Sequence, residues 1–276
     1  MTMTQCKQQI AILMATYNGE AFLSEQLDSL LSQTYADWHL YVHDDGSADG
    51  TNVLLSQYAK QHPQLITLLN YPPQGGACRN FLSLLDAVEA PYYMFCDQDD
   101  VWLAAKIEKT MERMQQVEHV GLPVIVHTDM QVVDAQMNVT APSFIRDQQI
   151  KLERITTFED YAATNTVTGC AMMLNRQARQ CTAKPYDCAI MHDAWICLSV
   201  VAAGGTVDFI DEPLVSYRQH QTNTLGARDM NRQTTLHKLH ILPQMIKADM
   251  AHYREMNAVR QLSLWDFVKA KWHYRK

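Results

Sequence analysis

The spacing of apolar residues changes period several times along the first half of the chain, and each change marks an element. Residues 10–17 form an almost unbroken apolar run, Ile10-Ala11-Ile12-Leu13-Met14-Ala15-Thr16-Tyr17. Such a run predicts a strand covered on both faces. Asn18-Gly19 then signals a turn, and Phe22, Leu23, Leu27, Leu30 and Leu31 recur at helical spacing. A short strand at 40–43 leads into Asp44-Asp45-Gly46-Ser47-Ala48-Asp49-Gly50-Thr51, where Asp49 or Thr51 can cap a helix carrying Val53, Leu54 and Leu55. A third strand at 66–69 passes through Gly75-Gly76 into a helix with Phe81, Leu82, Leu85 and Val88. The fourth strand, 92–96, is followed by a charged helix at 106–117. Strands alternating with helices predict βαβ units, hence an α/β fold with a mainly parallel central sheet flanked by helices. Right-handed crossovers bring the C-terminal ends of these strands to one edge, where open α/β sheets bind their ligands.

The second half is less regular. Residues 124–133 predict a strand pair or one long bent strand, and 169–174 a buried strand entered through Gly169. An apolar helix at 195–203 ends at Gly204-Gly205. Short strands at 207–210 and 214–217 are separated by Asp211-Glu212-Pro213. From about Asp229 the chain turns helical and basic, which divides it into a domain over 1–225 and a tail over 226–276. The tail's cations include Arg232, Lys238, Lys247, Arg254, Arg260 and Lys269, and Trp265, Phe267, Val268 and Trp272 interleave with the last of them. Two readings stand: an amphipathic end lying on an anionic membrane surface, or a helix packing its aromatics back onto the domain.

Composition narrows the class. A chain of 276 residues with 47% hydrophobic and 19% charged content is an ordinary globular protein with room for one large domain or two small ones. A net charge of −7 argues against nucleic acid as a partner. The seven cysteines, an odd number without a CxxC pair, read as reduced thiols of a cytosolic protein. Residues 1–9 are polar, without the apolar core of a signal peptide, and the longest apolar runs fall short of the ~20 residues that span a bilayer. The expected location is cytoplasmic, with peripheral contact at the inner face of the cell membrane through the tail.

Candidate chemistry is densest at Tyr92-Tyr93-Met94-Phe95-Cys96-Asp97-Gln98-Asp99-Asp100, where an apolar strand ends in three carboxylates within four positions. Alternation along an extended chain lets Asp97 and Asp99 face one way while Gln98 faces the other. Carboxylates so close repel unless a cation or good solvation compensates, and oxygen ligands suit Mg²⁺ or Mn²⁺. The plainer reading is a solvated strand end in which Asp99 or Asp100 caps a helix beginning near Trp102. Neither GxGxxG nor GxxxxGK[ST] occurs, so the sequence has neither a Rossmann fingerprint nor a P-loop.

Six motifs in order resemble the family-2 glycosyltransferases, inverting enzymes with the GT-A nucleotide-sugar-binding fold. They are Ala15-Thr16-Tyr17-Asn18-Gly19, the 44–51 segment, residues 76–80, Asp97-Gln98-Asp99-Asp100-Val101-Trp102, His192-Asp193-Ala194-Trp195 and Tyr217-Arg218-Gln219-His220. The likeness covers about residues 9–225 and is nearest to the bacterial rhamnosyltransferase-like branch that builds O-antigens and capsules. One departure is visible: Ala104-Ala105 stand where a proline is usual, which bears on where the helix starts.

The resemblance implies roles position by position. Thr16, Tyr17 and Asp45 would hold a uracil or thymine base and its ribose, with Asp44 assisting or fixing the loop. Arg79 and Asn80 would line the donor pocket with Trp195, and Gly169 would let the backbone approach the sugar. Asp97 and Asp99 would form a DxD motif, Asp97 towards the ribose or metal and Asp99 on the Mg²⁺ or Mn²⁺, with His220 a further ligand. Asp193 would be the general base that takes the proton from the acceptor hydroxyl. Each position has a plainer alternative: Asp193 as the N-cap of the 195–203 helix, His220 as a loop histidine, Asp45 as a turn residue. His43, His127 and Asp129 also stand near strand ends, where packing and function are both open. The implied activity is transfer of a sugar, rhamnose first, from a UDP- or dTDP-sugar to a glycan or lipid-linked glycan in cell-surface polysaccharide synthesis. The alternatives are a nucleotide-sugar nucleotidyltransferase, disfavoured by a loop Asn18-Gly19-Glu20 with no cation, and a non-catalytic sugar-binding relic.

Overall fold

The computed structural model describes residues 4–5, 9–220 and 242–275, with side chains for 9–220 and 247–273. The boundary expected at 225/226, and Arg232 and Lys238 of the tail, lie outside the described residues. The expected alternation is present as β1 (Ile10–Thr16), α1 (Leu23–Leu31), β2 (Trp38–Asp44), α2 (Thr51–Gln61), β3 (Ile66–Leu68), α3 (Ala77–Ala87) and β4 (Tyr92–Cys96). Then come β5 (Val101–Trp102), α4 (Lys106–Val117), β6 (Val124–Val133), β7 (Val139–Ala141), α5 (Phe144–Asp147), α6 (Phe158–Ala163), β8 (Met172–Asn175) and α7 (Arg176–Cys181). The described chain ends with α8 (His192–Ala202), β9 (Thr206–Arg218), α9 (Leu242–Val259) and α10 (Leu264–Arg275). A two-residue strand, Thr4–Gln5, pairs separately with Val88–Glu89.

The nine strands form one sheet in the order β3-β2-β1-β4-β8-β6-β9-β5, with β7 beside β6. β1 to β4 run parallel, β8 is antiparallel to β4 and β6, and β9 returns parallel to β6. Alternation along β1 divides the core. Ile10, Ile12 and Met14 join α1 and α4 residues such as Leu27 and Met111, while Ala11 and Leu13 join Phe81, Trp195 and Ile196 from α3 and α8. Burial on both faces explains why β1 reads as an apolar run rather than an alternating one.

Several boundaries differ from expectation. Residues 124–133 are one strand, and 206–218 are also one, with register shifts on either side of Pro213. Pro213 itself stands opposite Asp129, and the irregularities fall on either side of it, between Ile210 and Pro213 and between Pro213 and Ser216, so the strand continues past the proline, which has no N–H to give the ladder. No helix starts at Trp102: β5 pairs there with Val215 and Ser216, and α4 begins at Lys106. Asp99 and Asp100 therefore cap nothing. Gly169 opens a 3₁₀ turn rather than a strand, and α8 starts at His192 with Met191 as its N-cap. Asp193 is thus the second residue of α8 and not its cap.

α9 and α10 pack on the domain: Met256 and Phe267 form an apolar cluster with Phe158, Ala162 and Leu198. Trp265 (66% exposed) and Trp272 (61%) face outward with Leu264 and Val268. Both tail readings therefore have side chains assigned to them. Among the described residues, no helix is long and apolar enough to cross a membrane.

Asn175 ties the two halves of the sheet together. Fully buried, it caps α7 through Ala178 N–H (2.9 Å), accepts from Val124 N–H (3.0 Å), and donates to Glu118 (2.8 Å) and to Leu122 O (2.9 Å). Asn175→Ala is expected to cost ~3 kcal/mol, the sum of a lost cap and stranded buried polar groups. Chemical denaturation checks it, and a loss below ~1 kcal/mol would contradict this role.

Candidate functional site

Thr16, Asp44 and Cys96 end β1, β2 and β4 side by side, so their loops meet at one edge. Thr16 Oγ1 donates to Asp44 Oδ1 (2.9 Å), and Asp44 also accepts from Ser47 N–H (2.8 Å), Ser47 Oγ (2.5 Å), Gly46 N–H (3.1 Å) and Asn52 Nδ2 (3.0 Å). Burial alone would raise this carboxyl, but the bonds from Ser47, Asn52 and Thr16 outweigh it and hold the group below the usual range. Asp45 turns the other way, onto the N–H groups of Gln74, Gly75 (3.2 Å) and Gly76 (2.7 Å) at the entry to α3. Gly75 (φ +78°) and Gly76 (φ +132°) take backbone conformations that suit glycine. The carboxylate beside Thr16 is therefore that of Asp44, and Asp45 fixes the following loop.

Tyr17 leaves its ring 58% exposed while Gln98 clamps its backbone, accepting from Tyr17 N–H and donating to Tyr17 O, both at 2.9 Å. Gly19 makes room for that clamp, since a Cβ there would lie 2.2 Å from Gln98 Oε1. The rest of the loop is equally tied. The N–H groups of Asn18, Gly19 and Glu20 donate to Ser47, Thr51 and Asp49.

β4 ends at Cys96, so the alternation expected over 97–100 does not hold: Gln98 turns to Tyr17, but Asp97 and Asp99 part, Asp97 grouping with Asp100 while Asp99 turns elsewhere. Asp99 Oδ2 pairs with His220 Nε2 at 2.9 Å. Ligand atoms of Asp97, Asp100 and Cys170 all lie within 4.8 Å of one another. Burial first, then the charges of Asp100, Asp99 and Asp193, push the Asp97 carboxyl well above its ordinary range. Burial and Asp99 raise Asp100 to about 7. Two cationic side chains border this group. The Lys106 ammonium, fully buried, donates to Cys170 O (2.6 Å) and sits 3.8 Å from the Trp102 ring centroid. Burial lowers it to about 8. Arg218 donates its N–H to Asp100 Oδ1 (3.0 Å), its Nε to Asp99 O (2.9 Å) and its Nη2 to Glu25 (2.6 Å). Burial also raises the Cys170 thiol, which makes it a poor ligand beside the carboxylates. Carboxylate oxygens with an adjacent imidazole, short of positive charge, are a donor set that fits a hard divalent cation.

Asp193 stands across from this group, 5% exposed on the first turn of α8. Its Oδ1 accepts from Asn165 Nδ2 (3.0 Å) and Ala194 N–H (2.6 Å), and its Oδ2 from Gly169 N–H (3.0 Å). Three donors fix the carboxylate in one orientation.

Other expected positions have structural duties. Trp195 is buried in the core with its indole N–H on Ala183 O (2.8 Å), so no ligand reaches it. Asn80 is buried and bonds His43 twice, at Nδ1 (2.7 Å) and at the carbonyl (3.1 Å), which joins α3 to β2 rather than lining a pocket. The space beside Gly169 is filled by His192, whose Nε2 would lie 2.4 Å from a Cβ there. The glycine admits that ring, not a sugar. Arg79 remains exposed on the first turn of α3. His43 stacks on Tyr71, buried His127 packs on Phe209, and Asp129 accepts from Ser143 Oγ and Ile145 N–H; all three are packing residues. Lys106, Arg218 and Asn165 were not expected at the site. Only Arg218 had a local signal, since it lies inside the 217–220 motif.

A family model described as glycosyl transferase family 2 matches residues 11–182. The chain is 27% identical over 226 residues to the dTDP-rhamnosyl transferase RfbG of Shigella flexneri, across 78% of this chain and 74% of that one. It is 33% identical over 105 residues to the UDP-Glc:alpha-D-GlcNAc-diphosphoundecaprenol beta-1,3-glucosyltransferase WfgD of Escherichia coli, across 38% and 40% of the two chains. Among solved structures it resembles S. aureus TarS, with a TM-score of 0.60 at 14% identity over 97% of this chain and 91% of that one. The mannosyltransferase PcManGT from Pyrobaculum calidifontis, in complex with GDP-Man and Mn²⁺, gives 0.59 at 15% over 91% and 73%. At such identities the likeness establishes the fold, which is GT-A as the sequence motifs implied.

The buried carboxyls set a pH dependence. Asp100 titrates at about 7 in the folded chain against an ordinary 3.8, so the folded state binds the extra proton between those values. The contribution of Asp100 to stability accordingly falls as pH rises from 4 to 7. Lys106, lowered to about 8, acts only above that window. In EDTA, the unaltered protein is expected to lose stability relative to Asp100→Asn as pH rises from 4 to 7. Parallel profiles would show that Asp100 does not titrate there.

Proposed function

The chain belongs to glycosyl transferase family 2, and on that premise we propose that it is an inverting, metal-dependent transferase moving a sugar from a UDP- or dTDP-sugar to a glycan or lipid-linked glycan in cell-surface polysaccharide synthesis. The observation that carries this reading is Asp193, a carboxylate held by three donors and close enough to Asp97 for its charge to raise that group. Asp193 takes the proton from an acceptor hydroxyl as its oxygen bonds to the anomeric carbon. The bond from that carbon to the diphosphate oxygen breaks on the opposite face, so the configuration inverts. Tyr17 offers an exposed ring for stacking on the base, and Asp44, held by Thr16, presents the carboxylate that meets its edge or ribose. Asp97, Asp99 and His220 would hold Mg²⁺ or Mn²⁺, whose contribution when bound is neutralisation of diphosphate charge. The likeness to RfbG supports dTDP-rhamnose as donor.

The nucleotidyltransferase alternative needs free backbone N–H groups after β1 to cradle a triphosphate. Those of Tyr17, Asn18, Gly19 and Glu20 are all taken by side chains of this chain, which disfavours it. A relic would have no reason to keep Asp97, Asp99 and Asp193 at one edge. For a lipid-linked acceptor, the outward Leu264, Trp265, Val268 and Trp272 with Lys269 form a surface suited to an anionic bilayer at the cytoplasmic face.

Asp193→Asn should retain donor binding and lose ~10²–10⁴-fold in kcat, read in a transfer assay. Near-normal kcat would remove Asp193 as the base. Trp265→Ala/Trp272→Ala should weaken sedimentation with phosphatidylglycerol vesicles by about tenfold, since the two rings carry most of the outward apolar surface. Unchanged partitioning would leave the outward face without a membrane role.

A further inference from the structure

α8 carries Asp193 on its first turn but has no side-chain cap of its own, its N-cap being Met191. The acceptor for the preceding backbone comes from α9. Glu255 Oε1 accepts Ile190 N–H at 2.8 Å, and the neighbouring Met191 N–H helps to hold the carboxyl down against burial. Glu255 is completely buried, which is costly for a carboxyl unless its lone pairs are met. Burial raises it to about 7, and its Oε2 has no hydrogen-bond partner, with His252 Nε2 at 3.8 Å. An apolar residue would pack there at lower cost, so the carboxyl is explained by what Oε1 holds. On the other side of the same segment, Cys78 Sγ of α3 lies 3.9 Å from Ala189 O. Burial first, then the charges of Asp193 and Glu255, raise the Cys78 thiol to about 12, which places the three groups in one neighbourhood.

We propose that Glu255 is a positioning residue for Asp193, fixing residues 190–191 so that the first turn of α8 presents the carboxylate at the correct place and angle. The inference rests on Asp193 being the base. It makes α9 part of the active site, although α9 lies beyond the span that the family model matches. A displacement of about 1 Å at a reacting group can cost ~10²-fold in rate. Holding residues 190–191 is therefore a kinetic function, not only a contribution to stability.

The test uses full-length protein with Glu255→Ala, Glu255→Gln and Met256→Ala, measuring kcat, donor KM and thermal stability. Gln keeps an acceptor oxygen for Ile190, and Met256→Ala opens a cavity beside it in the same helix without touching the carboxyl. Glu255→Ala is expected to lower kcat ~10–100-fold with donor KM within about threefold, while Glu255→Gln stays within about threefold of the unaltered protein in both. Met256→Ala should lose stability at unchanged kcat. The proposal is overturned if Glu255→Ala keeps kcat within about threefold, or if Met256→Ala loses kcat in step with its stability as Glu255→Ala does. Should Glu255→Ala not fold, Glu255→Asp carries the test, because it withdraws the charge by one methylene. Its kcat must fall about tenfold or the proposal fails. Asp193→Asn in the same series separates the two claims. If it retains transfer, the base assignment is wrong; if it is inactive while Glu255→Ala is unimpaired, only the role of Glu255 is lost.

Discussion

Asp97, Asp99 and Asp100 crowd the end of β4, and Asp193 from α8 is close enough to raise Asp97 further. Two like charges ~4 Å apart repel by about 4 kcal/mol at an effective dielectric of 20, a large part of a domain's stability of about 5–15 kcal/mol. The chain around them is arranged to offset this. Lys106 enters from the start of α4 beneath the cluster, and Arg218 comes from the end of β9 to meet both Asp99 and Asp100. His220 follows two residues later onto Asp99, and Asn165 and the Gly169 N–H hold Asp193. The long return strand and the 3₁₀ turn at Gly169 both deliver a group to the carboxylates. Even so, Asp97 and Asp100 stay raised, so added positive charge at this edge would relieve them.

Elements whose signal is local were legible in the sequence. β1, β2 and β4 read as apolar runs because both faces are covered, and α1 and α3 read as helices because one stripe faces the sheet. The edge where their loops meet followed from chain direction alone. Elements set by pairing with distant segments were not legible. Pro213 suggested a break between two strands, yet β6 alongside carries the ladder past it. Trp102 suggested a helix start, yet pairing with Val215 draws it into β5.

The same division holds for the site. The 97–100 carboxylates stood out by type and spacing, and Asp193 through the motif resemblance. Asn80 and Trp195 sat within the same motifs, but their side chains turn into the domain, on His43 and Ala183. Motif membership gives no information about which way a side chain points. Gly169 was read as room for a sugar, and it is room for His192. Glu255 had no signal, because its contact with Ile190 spans 65 residues and depends on how α9 docks. That docking also joins the C-terminal helices to the domain through Met256 and Phe267, while Trp265 and Trp272 stay outside.

Thermal stabilisation by UDP, dTDP, GDP, CDP and ADP, each with Mn²⁺ and with EDTA, tests most directly whether this edge is a metal-assisted nucleotide-sugar site. A ligand that binds only the folded state at 100 times its Kd adds about 2.7 kcal/mol, well within reach of a melting experiment. The account predicts stabilisation by UDP or dTDP in Mn²⁺ that disappears in EDTA, with little response to the other three. Equal stabilisation with and without metal, or no response to any nucleotide, would contradict it.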